Sequence, residues 1–278
     1  MSVRLEPGAR VSGVNQSDVA SLLRLAQYAA STTGTYLVQQ RPVTLQQQIK
    51  TSATDVATQM DHAAESLLVD LLLTHRPDDS LLGEEGALRS GSSPITWVVD
   101  PIDGTTNYVY DLPMWAVSVA AQRDGRSVVG VVDVPVMGMS FWAAAGQGAW
   151  MLRNGRTTRL KASSISRVDH ALVATGFGYA AATRADQGRS VQRLLPLIRD
   201  IRRAGAASID LCWVASGAVD AYFEKGLQPW DHAAGGLIAR EAGAVVDGLW
   251  TANPNAEMTF ASAPGIASGL RSVLVQTT

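Results

Sequence analysis

The segment WVVDPIDGTTNY, residues 97–108, runs an apolar strand pattern directly into two acids. Asp disfavours strands, and Pro101 has no N–H to donate to a strand ladder, so the strand should end sharply here. This ending leaves the carboxylates of Asp100 and Asp103 at the tip of the strand. The segment is therefore predicted to place functional carboxylates at a strand end.

The residues that follow the second acid form a pattern that can receive an anion. Gly104 permits a close backbone approach, while Thr105 and Thr106 provide hydroxyl and N–H groups where a helix can begin. Backbone N–H groups at such a turn bind phosphate well. Acids beside this turn indicate a phosphorylated substrate that is activated by a metal ion.

Three further acids fall at the ends of predicted elements: Asp61 and Asp231 at helix starts, and Glu84 after an apolar strand. Taken singly, Asp61 and Asp231 are more typical of acids that cap a helix or complement its dipole, and Glu84 could belong to a solvated turn. If they converge with Asp100 and Asp103, like charges 4 Å apart repel by about 4 kcal/mol at an effective dielectric near 20. Divalent cations would relieve this repulsion, and a set of oxygen ligands favours Mg²⁺ over zinc or copper.

The composition limits the other function classes. With 278 residues, 46% of them apolar, the chain can bury a large core, and its net charge of −2 is spread without a basic cluster. We expect a small-molecule substrate and neither a nucleic-acid nor a membrane partner. No apolar run reaches the roughly 20 residues of a membrane helix, and residues 1–13 lack a signal-peptide core, so a cytoplasmic location is expected. The single cysteine, Cys212, is predicted to be a core residue.

The first half of the chain predicts helices packed on a largely antiparallel sheet. The predicted elements are helices over about 17–38 and 60–75, strands over 80–83 and 95–100, and a meander with turns at Asp124–Gly125 and Asn154–Gly155. The second half, after about residue 166, alternates strands with helices. Its strands are ALVATG, VVDG and TFASA, and its helical stretches lie near 189–200, 206–216, 231–243 and 264–275.

These patterns define the fold class as α+β or α/β. Residues 1–278 are predicted to form a single catalytic unit of two lobes, an N-terminal α+β lobe over 15–165 and a C-terminal α/β lobe over 166–278. No linker rich in Pro and Gly separates them, so the lobes should share an interface. Small-molecule sites usually lie in the cleft between such lobes.

Three longer motifs resemble the inositol monophosphatase family. They are GEEG at 83–86, WVVDPIDGTTNYVYDLP at 97–113 and WDHAAGGLIAREAGAVV at 230–246. The order and spacing are similar as well, and the resemblance extends from KTSATDVATQMD at 50–61 through GAASIDLC at 205–212 and AYFEKG at 221–226. It implies a layered αβαβα sandwich and a magnesium-dependent, lithium-sensitive phosphomonoesterase that forms a homodimer.

The resemblance also implies a ligand set for two or three Mg²⁺ ions per site. The first ion would be held by Glu84, Asp100 and the carbonyl of Ile102, and the second by Asp100, Asp103 and Asp231. Every one of these positions is intact.

The same resemblance assigns the catalytic and substrate-binding residues. Asp61, Glu84 and Thr105 would position or activate the attacking water; Gly104, Thr105 and Thr106 would bind phosphate, and Ala207 and Glu224 the rest of the substrate. One departure stands in GAASID, where Ala206 and Ser208 replace a hydroxyl residue followed by a small one. The departure weakens the choice of inositol and is expected to leave the catalytic assignment untouched. Inositol 1-phosphate is the first candidate substrate, with histidinol phosphate and fructose 1,6-bisphosphate as alternatives.

The energetics favour metal-assisted hydrolysis over acid–base chemistry alone. One positioned base gives about 10²- to 10⁴-fold, whereas phosphomonoester hydrolysis can require acceleration of order 10²¹. The expected reaction is therefore direct attack on phosphorus by metal-activated water.

Three other interpretations stay open. IDGTT superficially resembles the DxDGT motif of phosphatases with an aspartyl nucleophile, but Pro101 occupies the nucleophile's position. TGFGYAA at 175–181 partly matches a dinucleotide-binding GxGxxA, yet the following ATRADQGRS is not expected to open an apolar helix. A non-catalytic regulatory or interaction protein on the same fold is the third, because fold does not fix function.

Overall fold

The computed structural model describes residues 16–52 and 55–277. Its α-helices are α1 (Gln16–Gln39), α2 (Gln59–His75), α3 (Thr105–Val109), α4 (Ala181–Leu194), α5 (Ala207–Ser216), α6 (Pro229–Glu241) and α7 (Ala267–Thr277). Its strands are β1 (Gln47–Ser52), β2 (Asp55–Thr58), β3 (Ser80–Gly83), β4 (Leu88–Arg89), β5 (Ile95–Asp103), β6 (Ala116–Arg123), β7 (Arg126–Val134), β8 (Met139–Ala144), β9 (Ala149–Arg153), β10 (Arg156–Arg159), β11 (Leu172–Thr175), β12 (Asp200–Arg202), β13 (Ala221–Glu224), β14 (Val245–Asp247) and β15 (Thr259–Ser262).

The strands form one hairpin, β1–β2, and two larger sheets. The first sheet has eight strands in the order β10-β9-β8-β7-β6-β5-β3-β4, and the second has five in the order β12-β11-β13-β15-β14. In the eight-stranded sheet only β3 and β5 run parallel, and all other neighbours are antiparallel. The prediction of a largely antiparallel first sheet is confirmed.

The two predicted hairpin turns are also confirmed. Asp124 and Gly125 have φ values of 51° and 72°, and Asn154 and Gly155 have 51° and 73°. Positive φ at both central residues is the geometry that joins antiparallel strands with the correct twist, and Asn-Gly and Asp-Gly adopt it readily. These turns set the registers of β6 with β7 and of β9 with β10.

The layers follow from the alternation of side chains along the strands. On β6, Val117, Val119 and Ala121 face the core shared with α1 and α2, whereas Ala116 and Ala120 face α5 and α6. The latter helices lie between the two sheets, because their buried face packs against strands of both. On the far side of the five-stranded sheet, α4 and α7 close a third core. The predicted αβαβα sandwich is therefore the observed fold.

One helix of the second half was predicted in the wrong place. The helix expected near 189–200 is α4, which begins at Ala181 and ends at Leu194, and Asp200–Arg202 is an edge strand instead. Only Ser190 and Leu194 of α4 are buried. Because the rest of the helix is polar, its sequence carries almost no apolar periodicity that could fix its start. No helix in the described ranges is both long enough and apolar enough to cross a membrane.

Candidate active site

The tip of β5 gathers acids from three separate elements. Because β3 runs parallel beside β5, the turn after β3 brings Glu84 to the same sheet edge as Asp100. Asp100 is 1% exposed. Burial, followed by the charges of Glu84, Asp103 and Asp231, raises the pKa of Asp100 well above its ordinary range. The structure therefore brings the predicted metal-binding acids together.

Asp100 also organises the backbone at the strand tip. Its carboxylate accepts a hydrogen bond from the N–H of Ile102 at 3.0 Å. This short contact bridges Pro101, which has no N–H of its own, and bends the chain so that strand pairing with β6 is irregular between Asp100 and Asp103. In this irregular stretch the Ile102 carbonyl accepts a hydrogen bond from the Thr105 hydroxyl at 3.1 Å.

Asp231 enters the cluster from the first turn of α6. Pro229 begins the helix, and the Asp231 carboxylate accepts the N–H of Gln228 at 2.7 Å, which fixes it as part of the helix cap. Burial and then the charge of Asp103 raise the pKa of Asp231 well above its ordinary range. Asp231 thus caps α6 and also lies near Asp103, and its role as a metal ligand stays a prediction.

Asp103 is held by the N-terminus of α5. Its carboxylate accepts hydrogen bonds from the N–H of Ala207 at 3.2 Å, the N–H of Ser208 at 2.7 Å and the Ser208 hydroxyl at 2.5 Å. Burial raises the pKa of Asp103 to about 6, although the Ser208 hydrogen bonds act in the opposite direction. The sequence departure at Ser208 therefore lies against the acid cluster, because Ser208 contacts Asp103 directly. The catalytic assignment, which this departure was expected to leave untouched, stays a prediction.

Asp61 and Thr105 meet across the site. Asp61 lies in the first turn of α2, where one carboxylate oxygen accepts from the N–H and the hydroxyl of Thr58 at 2.7 and 2.6 Å. Its other oxygen accepts from the Thr105 hydroxyl at 3.1 Å. Asp61 is buried, and that burial raises its pKa. The structure therefore joins two predicted catalytic residues that are 44 positions apart.

Gly104 is required by the turn between β5 and α3. Its φ is 95°, a left-handed conformation that residues with a side chain rarely adopt. A Cβ here would lie 3.1 Å from the carbonyl oxygens of Gly205 and Met114. Of the two threonines that follow, Thr105 is buried and Thr106 is exposed. Gly104 thus packs closely against neighbouring backbone, and the binding of phosphate by this turn stays a prediction.

Lys50 connects the β1–β2 hairpin to the acid cluster and was not predicted as a site residue. Its ammonium lies 2.9 Å from Glu84 and 2.5 Å from Glu85. Burial lowers the pKa of Lys50, but the two acids outweigh this effect and raise it. The signal was available, because Lys50 begins the KTSATDVATQMD segment that ends at Asp61.

The donor chemistry of the cluster fits a hard cation. Within the described part of the chain, no three Asp, Glu, His or Cys side chains already form an arrangement that could hold a metal ion. The acids instead take protein partners, Lys50 for Glu84, Ser208 for Asp103 and Gln228 for Asp231. Carboxylates and a nearby backbone carbonyl are nevertheless the oxygen donors that Mg²⁺ prefers, and burial raises the pKa values of Asp100, Asp103 and Asp231.

Glu224 lies at the end of β13, in the five-stranded sheet. Its carboxylate accepts the Tyr222 hydroxyl at 2.6 Å. Burial raises the pKa of Glu224 to about 7, the charge of Asp103 acts in the same direction, and that of Arg203 opposes it. The electrostatic coupling to Asp103 supports placing Glu224 near the acid cluster rather than on a surface turn.

The glycines of the TGFGYAA segment have a packing role. A Cβ on Gly176 would collide with the carboxylate of Glu224, so this glycine makes room for a substrate-binding candidate. The segment ATRADQGRS lies in α4, a mostly polar helix with only Ser190 and Leu194 buried, so it opens no apolar helix, as expected. Tyr179, between these parts, has its pKa raised by burial and then by the charges of Glu84 and Asp55. Tyr179 therefore lies near the acids, and no sequence pattern indicated this.

Comparisons with known proteins agree with this geometry. A model of the inositol monophosphatase family matches residues 18–272. Inositol-1-monophosphatase of Mycobacterium leprae is 45% identical over 232 residues, which cover 81% of this chain and 80% of that protein. The chain therefore belongs to the inositol monophosphatase family, and it is a phosphoric monoester hydrolase of a generally metal-dependent kind.

Two further relatives extend the comparison. The solved structure of Mycobacterium tuberculosis SuhB superposes with a TM-score of 0.80 at 38% identity, covering 93% of this chain and 97% of that one. The Nus factor SuhB of Escherichia coli is 42% identical over 194 residues, 69% of this chain and 71% of that protein. The first supports the layered fold, and the second carries a name that does not describe a phosphatase.

Proposed function

We propose that this protein is a magnesium-dependent phosphomonoesterase that hydrolyses a small polyol or sugar phosphate, inositol 1-phosphate first among them. The observation that carries the proposal is the meeting of Glu84, Asp103 and Asp231 around the buried Asp100, directly before the Gly104 turn. Like charges gathered in a buried site are costly unless a cation joins them. A cation beside an anion-binding turn suits a phosphate ester.

The ligand assignment follows from the chemistry of these donors. Glu84, Asp100 and the Ile102 carbonyl would hold one ion, and Asp100, Asp103 and Asp231 a second, with a third ion as the upper bound for the site. When bound, Mg²⁺ supplies Lewis acidity that activates water and neutralises charge on the phosphoryl and leaving oxygens. Lys50 contacts one carboxylate oxygen of Glu84 at 2.9 Å, so it would compete with the ion for that oxygen.

Thr105 and Asp61 are suited to orient the attacking water. Thr105 has one hydroxyl proton and two acceptors at 3.1 Å, the Asp61 carboxylate and the Ile102 carbonyl. When the proton points to Asp61, the lone pairs of the hydroxyl oxygen can accept a hydrogen bond from water. The raised pKa of Asp61 makes it a stronger base than an exposed aspartate, so it can draw the proton through Thr105.

The remaining residues divide between the phosphate and the leaving group. The backbone of Gly104, Thr105 and Thr106 would hold the phosphate in line. The left-handed φ of Gly104 shapes the turn that presents these groups. Ala207 and Glu224 would contact the leaving group, where a carboxylate can accept hydrogen bonds from vicinal hydroxyls. The Tyr222 hydroxyl already occupies one side of Glu224 and restricts its orientation.

A substrate panel tests the proposal. The purified protein is incubated with Mg²⁺ and inositol 1-phosphate, histidinol phosphate or fructose 1,6-bisphosphate, and inorganic phosphate is measured. We expect release from at least one of these esters, fastest from inositol 1-phosphate, with loss on chelation by EDTA and recovery with Mg²⁺. Absence of release from all three would reject the proposed activity.

The family resemblance alone supports three further expectations. Lithium should inhibit phosphate release at saturating Mg²⁺, the protein should be a homodimer by light scattering, and it should act in the cytoplasm. Each can fail without affecting the assignment of the acid cluster.

A regulatory role is the second candidate, favoured by the name of the Escherichia coli relative, Nus factor SuhB. The two roles can be separated genetically, because a regulatory function independent of catalysis would persist in an Asp103→Asn strain. Loss of the phenotype in that strain, together with loss of phosphate release in vitro, would favour the enzymatic role.

A further inference from the structure

The turn that carries Glu84 is held by a buried acid from another element. Glu65 lies in α2 and is 6% exposed. One of its carboxylate oxygens accepts the N–H of Glu85 at 2.8 Å, and the other accepts the N–H of Ala87 at 2.9 Å. Both donors are backbone groups of the turn between β3 and β4, so Glu65 clamps the backbone rather than a side chain.

The first of these contacts fixes the peptide group directly after Glu84. That peptide joins the Glu84 carbonyl to the Glu85 N–H, so its orientation constrains the backbone of Glu84, from which the side chain extends. The turn is closed from within by the Gly83 N–H, which donates to the Ala87 carbonyl at 2.7 Å.

Gly83 makes the clamp possible. A Cβ at this position would collide with the Glu65 carboxylate, so only glycine lets the acid approach the turn from this side. The left-handed conformation is not the reason, because no φ in that range occurs at Gly83.

One helix therefore connects two parts of the site. Asp61 and Glu65 are four positions apart on α2 and face the same side of it. Asp61 contacts Thr105, and Glu65 contacts the Glu84 turn. A displacement of α2 would change both contacts at once.

Given the proposed function, we propose that Glu65 is a positioning residue that preorganises Glu84 for metal binding. Charge-assisted hydrogen bonds from two backbone N–H groups give the turn a single conformation before a cation arrives. Residues that orient metal ligands in this way typically change metal affinity by about 10- to 100-fold when mutated.

The chain contains a matched control for this clamp. Glu241, at the end of α6, accepts the N–H groups of Gly146 and Gly148 at 2.8 Å each, in the turn between β8 and β9. The chemistry is the same, a carboxylate on two turn amides, but no predicted site residue belongs to that turn.

The experiment compares Glu65→Gln with Glu241→Gln in the full-length protein. Glutamine keeps one acceptor oxygen and places an NH₂ group against the second turn N–H, so each variant leaves one amide unsatisfied. We measure Mg²⁺ affinity by calorimetry and unfolding temperature by scanning fluorescence. Both variants should lose thermal stability, but only Glu65→Gln should bind Mg²⁺ about tenfold or more weakly. Its kcat should recover at saturating Mg²⁺.

Mg²⁺ affinity equal to that of the wild type in a folded Glu65→Gln variant would overturn the inference, as would an equal loss in both variants. If Glu65→Gln does not fold, Gly83→Ala tests the same contact from the turn side, and unchanged affinity there would be equally decisive against it. Failure of the wild type to bind Mg²⁺ would instead reject the proposed function, and this inference with it.

Discussion

The Ser208 hydroxyl lies 2.5 Å from a carboxylate oxygen of Asp103, although the two residues are 105 positions apart. The same oxygen accepts the Ser208 N–H at 2.7 Å. These donors stabilise the ionised form of a buried acid whose pKa is nevertheless raised to about 6 by burial. Ser208 thus controls how strongly protons compete with a cation for Asp103.

The first prediction concerns this contact. Ser208→Ala removes one donor, so the pKa of Asp103 should rise further and Mg²⁺ affinity should fall more at pH 6 than at pH 8. Calorimetry at both pH values measures the difference. Ser262→Ala, which removes a buried hydroxyl that donates to Ala263 elsewhere in the fold, is the control. An equal loss at both pH values would mean that Ser208 acts through packing instead.

Asp103→Asn should abolish turnover while the protein stays folded. The substitution removes a ligand charge at nearly constant volume, and it relieves repulsion among the buried acids, so the metal-free protein should unfold at a higher temperature. Activity at saturating Mg²⁺ is expected below about a tenth of the wild type, since a lost ligand costs several kcal/mol in the transition state. Asp169→Asn, an exposed acid paired with Arg167, should change neither property. Retention of more than that tenth would refute the ligand assignment of Asp103.

No covalent phosphoenzyme should accumulate during turnover. Pro101 stands where an aspartyl nucleophile would have to lie, and Thr105 with Asp61 is placed to orient water instead. Intact-mass spectrometry of the quenched reaction should show only the unmodified chain. A phosphoryl adduct on Asp100 or Asp103 would rule out direct attack by water.

Glu224→Gln should separate substrates by their leaving groups. For a polyol phosphate we expect kcat/KM to fall by about 1 to 3 kcal/mol in free-energy terms, because a buried polar contact is left poorly matched. An aryl phosphate without hydroxyls should be nearly unaffected. Glu257→Gln, an exposed acid near the same sheet, controls for the loss of charge. Equal losses on both substrates would indicate that Glu224 has a structural role. No loss on either would indicate that Glu224 does not contact the substrate.

The stability of the metal-free protein should decrease as pH rises through the range set by Glu224. Its pKa is raised from 4.5 to about 7, so between these values the folded state binds more protons than the unfolded state, and the free energy of unfolding falls. The measurement is the thermal unfolding midpoint of the wild type and of Glu224→Gln in EDTA. Between pH 4.5 and pH 7.5, the midpoint of the wild type should fall relative to that of the variant. A constant difference between the two proteins would contradict the raised pKa.

Local sequence determined the elements and the positions of the acids within them. Asp-Gly and Asn-Gly fixed two hairpin turns because positive φ at both residues is a local preference. Pro101 ended regular pairing of β5 because it lacks a donor, and this placed Asp100 and Asp103 at the tip. Family-specific motifs indicated the layered fold and the phosphatase class.

Tertiary structure decided which residues hold those acids in place. Glu65 contacts a turn 20 residues away in the chain, and Ser208 contacts an acid 105 residues away. Neither carries a local signal, because a buried acid and a small hydroxyl residue have many possible partners until the elements pack. The start of α4 was missed for a related reason, since a mostly exposed helix shows little hydrophobic periodicity. Sequence thus specified the chemical groups, and only packing between distant elements specified their partners and protonation.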